Sequence, residues 1–469
     1  MKKILIGISI FFGLLIAVLI IGLLSISSIV TPDFIVKQVE SSLNVRADLK
    51  KVNINLFSVL SSVELEDLSL HNRDSFADNA KLLVERSASV SPIISVKKVD
   101  LKLNFLAILR RSFELKNFTL IEPTVTVILK DNGNNLSHLF RKPKIVEGKP
   151  NPSLEEKEEP LPAETSDKPF SIKTLPISTN IGKVGIENGT IDVFVQKTLQ
   201  KISLRNVKLL LTDIDINPED LEKHNSIRLT ANVNLSVLNS GGQETALFKI
   251  LSNGLIVPFV SATGLVNPSV NYHLTLQQGS YVDGLSIFDA LSGNLPALAN
   301  AGIKLEGLSK KADLTKNVEL DINYSSGKVS FLNPVVFPTP NHDLTLEKGS
   351  WIHIKTNEHG FTGGIFASKA ESDKAISKID AAIKEKLKLE NPTETRNQIL
   401  GKLVKDDRMY LPFTSSGNIK SPNVQLQIEL PSILDLAKGA VGDKLKDELN
   451  KKIPGGAGDA INKGLKKLF

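Results

Sequence analysis

A mainly β chain with some α-helix, held by one N-terminal transmembrane helix and closed by amphipathic helices, is the fold class this sequence predicts. Three observations predict it. An uncharged apolar run stands near the start, apolar and polar side chains alternate with period two through most of the chain, and helical spacing returns at the end.

The apolar run comes first. After Lys2 and Lys3, residues 4–24 carry no charge, and Ile4, Phe11, Leu15 and Leu24 mark its extent. That is the length an α-helix needs to cross a hydrocarbon core, where every backbone amide must bond internally. A cleaved signal peptide is the alternative, with Ser25-Ile26-Ser27 as its cleavage region, but signal cores are shorter. Lys2 and Lys3 favour a cytoplasmic N-terminus, and Lys37, Arg46, Lys50 and Lys51 oppose them from the other side. A long polar chain behind such an anchor is exported, so residues 1–30 are predicted as cytoplasmic tip and anchor and the rest as periplasmic.

Pro32 to Leu43 then reads as a short amphipathic helix. Thr31 is its N-cap, Pro32 its first residue, and Phe34, Ile35, Val39 and Leu43 lie on one side. It is either the first helix of the folded body or a membrane-surface element.

From there the period is two. Val52, Ile54 and Leu56 alternate with polar residues, followed by Leu101, Leu103 and Phe105 and by Val125, Val127 and Leu129. Such runs, divided by Ser, Asn, Asp and Gly, predict half-buried antiparallel strands in a domain over 31–140, with one helix near 75–86. Residues 141–170 are rich in Pro and Glu and poor in apolar pairs, and read as a linker or loop. A second β domain is predicted over 171–430. Its clearest alternation is Ile227, Leu229, Ala231, Val233, Leu235 and Val237; Leu320 and Ile322, then Val424, Leu426 and Ile428, continue it. The segment from Ser112 echoes the segment from Ile181, and both read as hairpins in a repetitive sheet. Helical spacing returns at Ala375, Ile379, Ala382 and Leu387, and again over 431–469 as a basic amphipathic tail. That tail either packs on the sheet or touches anionic lipid.

Composition excludes several functions. The net charge is +6, but the basic residues are dispersed and form no stripe with aromatics, so nucleic acid is not a predicted partner. The chain has no cysteine, which rules out disulfides, thiolate zinc sites, a lipoprotein anchor and a cysteine nucleophile. His353 and His359 flank Glu358 at a spacing that does not match a helical zinc pair, and read as polar strand or turn residues. Asp213, Asp215 and Asn217 begin like a calcium loop, but Pro218 and His224 occupy positions that need Gly and Glu, so a strand end and turn is predicted instead. Ser95 and Lys98 match S-x-x-K without its companion motifs. No catalytic residue, metal or cofactor is predicted.

Three passages carry a family resemblance. They are the anchor followed by Pro32-Asp-Phe-Ile-Val-Lys-Gln-Val-Glu-Ser-Ser-Leu, the stretch Phe113 to Leu136 with Ile121-Glu-Pro-Thr-Val, and Leu411-Pro-Phe-Thr-Ser-Ser-Gly-Asn-Ile-Lys-Ser-Pro-Asn-Val. In this order they resemble the AsmA family, which is similar to chorein-like lipid-transfer proteins of bacterial envelopes. Ser421-Pro422 stands where that family has Asp-Pro. The resemblance implies an elongated antiparallel β-groove, a taco-like sheet whose apolar inner face holds phospholipid or another acyl lipid. It implies an inner-membrane protein of lipid homeostasis and outer-membrane integrity. Roughly twenty strands at about 4.8 Å would make a rod on the order of 100 Å, which is not expected to bridge two membranes unaided and would work with an outer-membrane or periplasmic partner protein or only near the inner membrane. An assembly factor that presents sheet edges to outer-membrane proteins is the alternative function. The alternation fits a groove and a packed core equally.

Overall fold

In the computed structural model the described residues are 31–43, 45–55, 61–71, 91–104, 113–131, 133–136, 139, 171–174, 179–284, 312–387, 393, 396–397 and 403–427. The predicted anchor (Ile4, Phe11, Leu15, Leu24), the helix near 75–86, the linker over 141–170 and the tail over 431–469 lie outside them. So do Leu56, Phe105 and Ile428. Among the described residues no helix is long and apolar enough to cross a membrane.

In chain order the elements begin with helix α1 (Pro32–Ser42), then β1 (Arg46–Asn55), β2 (Ser61–His71), β3 (Ile94–Leu103), β4 (Phe113–Lys130) and β5 (Gly133–Asn134). The long strands β6 (Thr179–Val195), β7 (Gln200–Ile216), β8 (Asn225–Leu238), β9 (Glu244–Phe259) and β10 (Val266–Leu276) follow. Next come β11 (Tyr281–Val282), β12 (Ala312–Asp313), β13 (Val318–Ser325), β14 (Lys328–Phe331), β15 (Val335–Pro338) and β16 (His342–Leu346). The last are β17 (Trp351–His353), β18 (Glu358–Ala367), helix α2 (Lys369–Leu387), β19 (Val404–Lys405), β20 (Arg408–Asn418) and β21 (Asn423–Leu426). The fold is mainly β, as predicted.

Two compact units form, one from residues 1–280 with 319–326 and the other from 281–318 with 327–469. The division therefore does not fall at 141–170. The reason is that β4 and β6, on either side of that linker, pair directly with each other, Leu120 opposite Ile186 and Val127 opposite Val193.

That pairing also corrects the prediction of a purely antiparallel sheet. In the first unit the order is β1-β2-β3-β4-β6-β7-β8-β9-β10-β13, and β4 and β6 run parallel. Parallel neighbours need a connection of a dozen or more residues, which the Pro/Glu-rich stretch supplies. The internal echo has its explanation here. The two similar segments are not hairpins but single long strands lying side by side in register.

Each of them holds one residue in the left-handed region, Glu122 (φ 50°) and Asn188 (φ 55°), and Asp67 on β2 and Asn206 on β7 do the same (φ 53° each). The ladders skip at these points, and Asp67, Lys97, Glu122 and Asn188 fall in line from β2 to β6 with the register kept. At Asn206 β7 carries an extra residue against β8, and a bulged strand bends and twists there. The alternation resets along this line, so Leu120 and Val125 share a face although they stand five positions apart. Leu65 and Leu68 do so too, as do Ile186 and Ile191. Lys50 and Lys97 pair with the carboxylates of Asp67 (3.1 Å) and Glu122 (2.8 Å) on this line.

Helix α1 starts as the sequence predicts, with Thr31 Oγ1 accepting from the Phe34 N–H at 3.2 Å and Pro32 at the first helical position. Its buried side, Ile35, Val36 and Val39, joins the core built on β1–β4, which settles it as the first helix of the folded body.

The second unit packs α2 on β20. Ser368 Oγ accepts from the Glu371 N–H and donates to the Glu371 carboxylate at the start of the helix, and Ala375 and Ile379 are buried beside Leu411 and Phe413. β20 and β21 form a hairpin, with Phe413 opposite Leu426. Here and in the first unit, aromatic rings cover glycines. A Cβ on Gly364 would lie 2.2 Å from the Tyr410 ring, one on Gly360 2.5 Å from the Trp351 indole, and one on Gly254 2.7 Å from Tyr272.

Candidate functional site

The cross-strand partners of the first unit trace apolar rows, broken on β9 by Ser252 and Gly254. One runs Val52–Leu65–Val99–Leu120–Ile186–Leu209–Ala231–Ser252–Leu274 from β1 to β10. A second runs Ile54–Val63–Leu101–Phe118–Val184–Leu211–Leu229–Gly254–Tyr272. Beyond the line of skipped pairs a third runs Ala47–Leu70–Ile94–Val125–Ile191–Leu204–Leu235–Phe248. Period two therefore produces one continuous apolar face on this sheet.

Burial along that face changes in the middle. On β2 and β3, Leu65, Leu70, Val99 and Leu101 are 0 % exposed, and β4 adds Leu115 and Phe118 at 1 %. Fully burying such a side chain stabilises by about 1.5–3 kcal/mol, so this end is a packed core. From β7 onward the same rows are mostly half-buried: Ile202, Leu204, Leu209, Leu211, Ala231, Val233, Leu235, Val237, Phe248, Ile250, Ile256 and Leu274. None of these belongs to the core that includes β1–β4.

The predicted groove residues divide accordingly. Leu101, Leu103 and Val127 are sealed in the core, and Val52, Ile54, Val125 and Leu129 pack against it. Ile227, Val233, Leu235 and Val237 lie half-buried on the open stretch of β8, with Leu229 more deeply set. Leu320 (buried) and Ile322 (half-buried) are on β13, whose alternate residues bond to β10. Val424 and Leu426 belong to the second unit and pack on its own core. The structure thus brings the β8 and β13 candidates together on one sheet and assigns the β3–β4 candidates to packing.

Sequence reasoning missed β7, β9 and β10. The signal was present in Ile202, Leu204, Leu209 and Leu211, but the bulge at Asn206 breaks its period. On β9, Ser252 and Gly254 interrupt it on the apolar side, while Leu251 and Leu255 stand exposed on the opposite face.

That opposite face is polar and laced with ion pairs. Asp192 accepts from Ser203 Oγ (2.7 Å) and Arg205 Nη1 (2.8 Å), and Lys201 lies 3.3 Å away. Partial burial raises its pKa, but these hydrogen bonds and charges outweigh it and hold the carboxyl below the usual carboxylate range. On β10, His273 Nδ1 meets Asp321 and Nε2 meets Glu319, both at 2.9 Å, while Thr275 donates to Glu319 and Asn323 to Asn271. The hydrogen bond to Asp321 is the main cause that raises the His273 pKa. These contacts fix β13 to β10 and leave Leu320 and Ile322 on the apolar side by alternation. On that side, burial pushes the Tyr272 phenol up to about 12.

The residues weighed as catalytic or metal-binding have structural partners. His359, 1 % exposed, bridges Ser415 Oγ (2.6 Å) and the Gly417 carbonyl (2.7 Å), and His353 closes the turn before β18 through Thr356. Asp213 pairs with Arg228 and Asp215 with His224, and Asn217 Oδ1 accepts from the Glu219 N–H, a strand end and turn as predicted. Lys98 bonds to Glu64, which raises its pKa. Among the described residues no group of three or more His, Asp or Glu could hold a metal ion. Comparison with protein-family models, with curated proteins and with solved structures returns no match.

Proposed function

We propose that this chain is an AsmA-like, membrane-anchored lipid-binding and lipid-transfer protein of the bacterial envelope, working in the periplasm without catalysis. The observation that carries the reading is the half-buried apolar stretch over β7–β10, a long ordered surface of aliphatic side chains left outside the protein's own core. Exposed contiguous apolar surface of this kind marks an interaction site. A flat array of Val, Leu and Ile without converging polar groups suits acyl chains better than a polar ligand. The apolar run at 4–24 would hold the body at the inner membrane, the source of phospholipid.

Native mass spectrometry of the chain purified from membranes tests the reading. Co-purified phospholipid, lost on Val233→Glu and Ile250→Glu, is the expected result. A folded chain that carries no lipid in either form would sink it.

A further inference from the structure

The apolar face is continuous in its chemistry and discontinuous in its availability. In a single row, Leu65, Val99 and Leu120 are buried in one core with α1, whereas Leu209, Ala231 and Leu274 are half-buried outside it. We propose that acyl chains occupy this face only from β7 to β10 and stop at β6, the β1–β4 end being a dry plug. The proposal rests on the lipid-binding reading above and adds to it where the lipid can go.

The physical reason is packing. Protein interiors are filled to the density of organic crystals, and even one added methylene forces side chains off their rotamers. An acyl chain pushed along the rows past β6 would have to expel side chains packed into the core, several of them with no exposed surface. Over β7–β10 the same chain covers atoms that water already reaches. Lipid is therefore taken up from the β7–β10 side and does not thread beneath α1. On this account the first unit holds individual lipids and is not a conduit along the whole sheet.

The test uses the full-length protein in detergent, mixed with vesicles of phosphatidylethanolamine and phosphatidylglycerol doped with a phosphatidylcholine that carries an acyl-chain diazirine. After irradiation, adducts are mapped by peptide mass spectrometry. Adduct yield is expected to be at least about tenfold higher in peptides of β7–β10 than in peptides of β2–β4, given how little space a close-packed core leaves. Comparable yields in both sets overturn the plug and leave lipid binding standing. No adducts anywhere in the first unit overturn lipid binding itself, and the plug with it. Val233→Trp, which fills the open stretch, is expected to lower labelling of β8 and β9; unchanged labelling there overturns the assigned location.

Discussion

Truncating two leucines of the same apolar face should affect stability very differently. Leu101 on β3 is 0 % exposed between Val63 and Phe118, and Leu235 on β8 is half-buried between Leu204 and Phe248. Leu101→Ala removes three carbons from a packed core, where transfer and cavity terms add; the loss is expected near 3 kcal/mol, in a range of about 2–5. Leu235→Ala removes the same atoms from a surface with water beside it. At about 0.8 kcal/mol per fully buried methylene, and with roughly two thirds or more of the side chain buried, it should lose about 1.5–2 kcal/mol with no cavity term. Hydrogen exchange of β3 and β8 peptides, combined with urea unfolding followed by far-UV circular dichroism, reads the first unit directly. Equal losses at the two sites, within about 0.5 kcal/mol, would refute the contrast between packed and open halves of the sheet.

In the second unit, Gly363→Ala would place a Cβ 1.9 Å from the Thr345 carbonyl oxygen, and Trp351 fluorescence should show a loss on the order of 3 kcal/mol in urea. Glu122 sits at φ 50°, where glycine is unstrained and its exposed pair with Lys97 is worth little, so Glu122→Gly should stay within about 1 kcal/mol of wild type while Glu122→Val loses more, by urea unfolding followed by far-UV circular dichroism. Because the folded-state pKa of His273 is raised, its contribution is complete below the ordinary histidine value and fades as pH climbs through the raised one. His273→Gln should therefore speed exchange in β10 in mildly acidic buffer and leave it unchanged in alkaline buffer, and a pH-independent effect would contradict the pairing with Asp321 and Glu319.

Much of this architecture was legible in the residues. Strands such as β8 announce themselves because one face is apolar along the whole length, and α1 because Thr31 and Pro32 mark its start. The parallel partnership of β4 and β6 was not legible, since alternation reports which face is apolar and says nothing about which strand lies alongside. The echo between the two segments did hold the information, but in-register similarity was read as repetition when it reflected neighbours that each turn left-handed at the same point, Glu122 and Asn188. The bulge at Asn206 hid β7 as well: a single left-handed residue moves the apolar side chains from one parity to the other. Openness escaped sequence reasoning altogether. Leu101 and Leu235 occupy similar patterns, yet Leu101 joins the core that includes α1 and Leu235 does not.

The parallel ladder between β4 and β6 has a bearing on how the chain tolerates being cut. Because the strands on either side of the Pro/Glu-rich stretch grip each other along their full lengths, severing the polypeptide there would leave two fragments still zipped together. The protein should survive as a noncovalent two-piece molecule, reassembling when its halves are made separately.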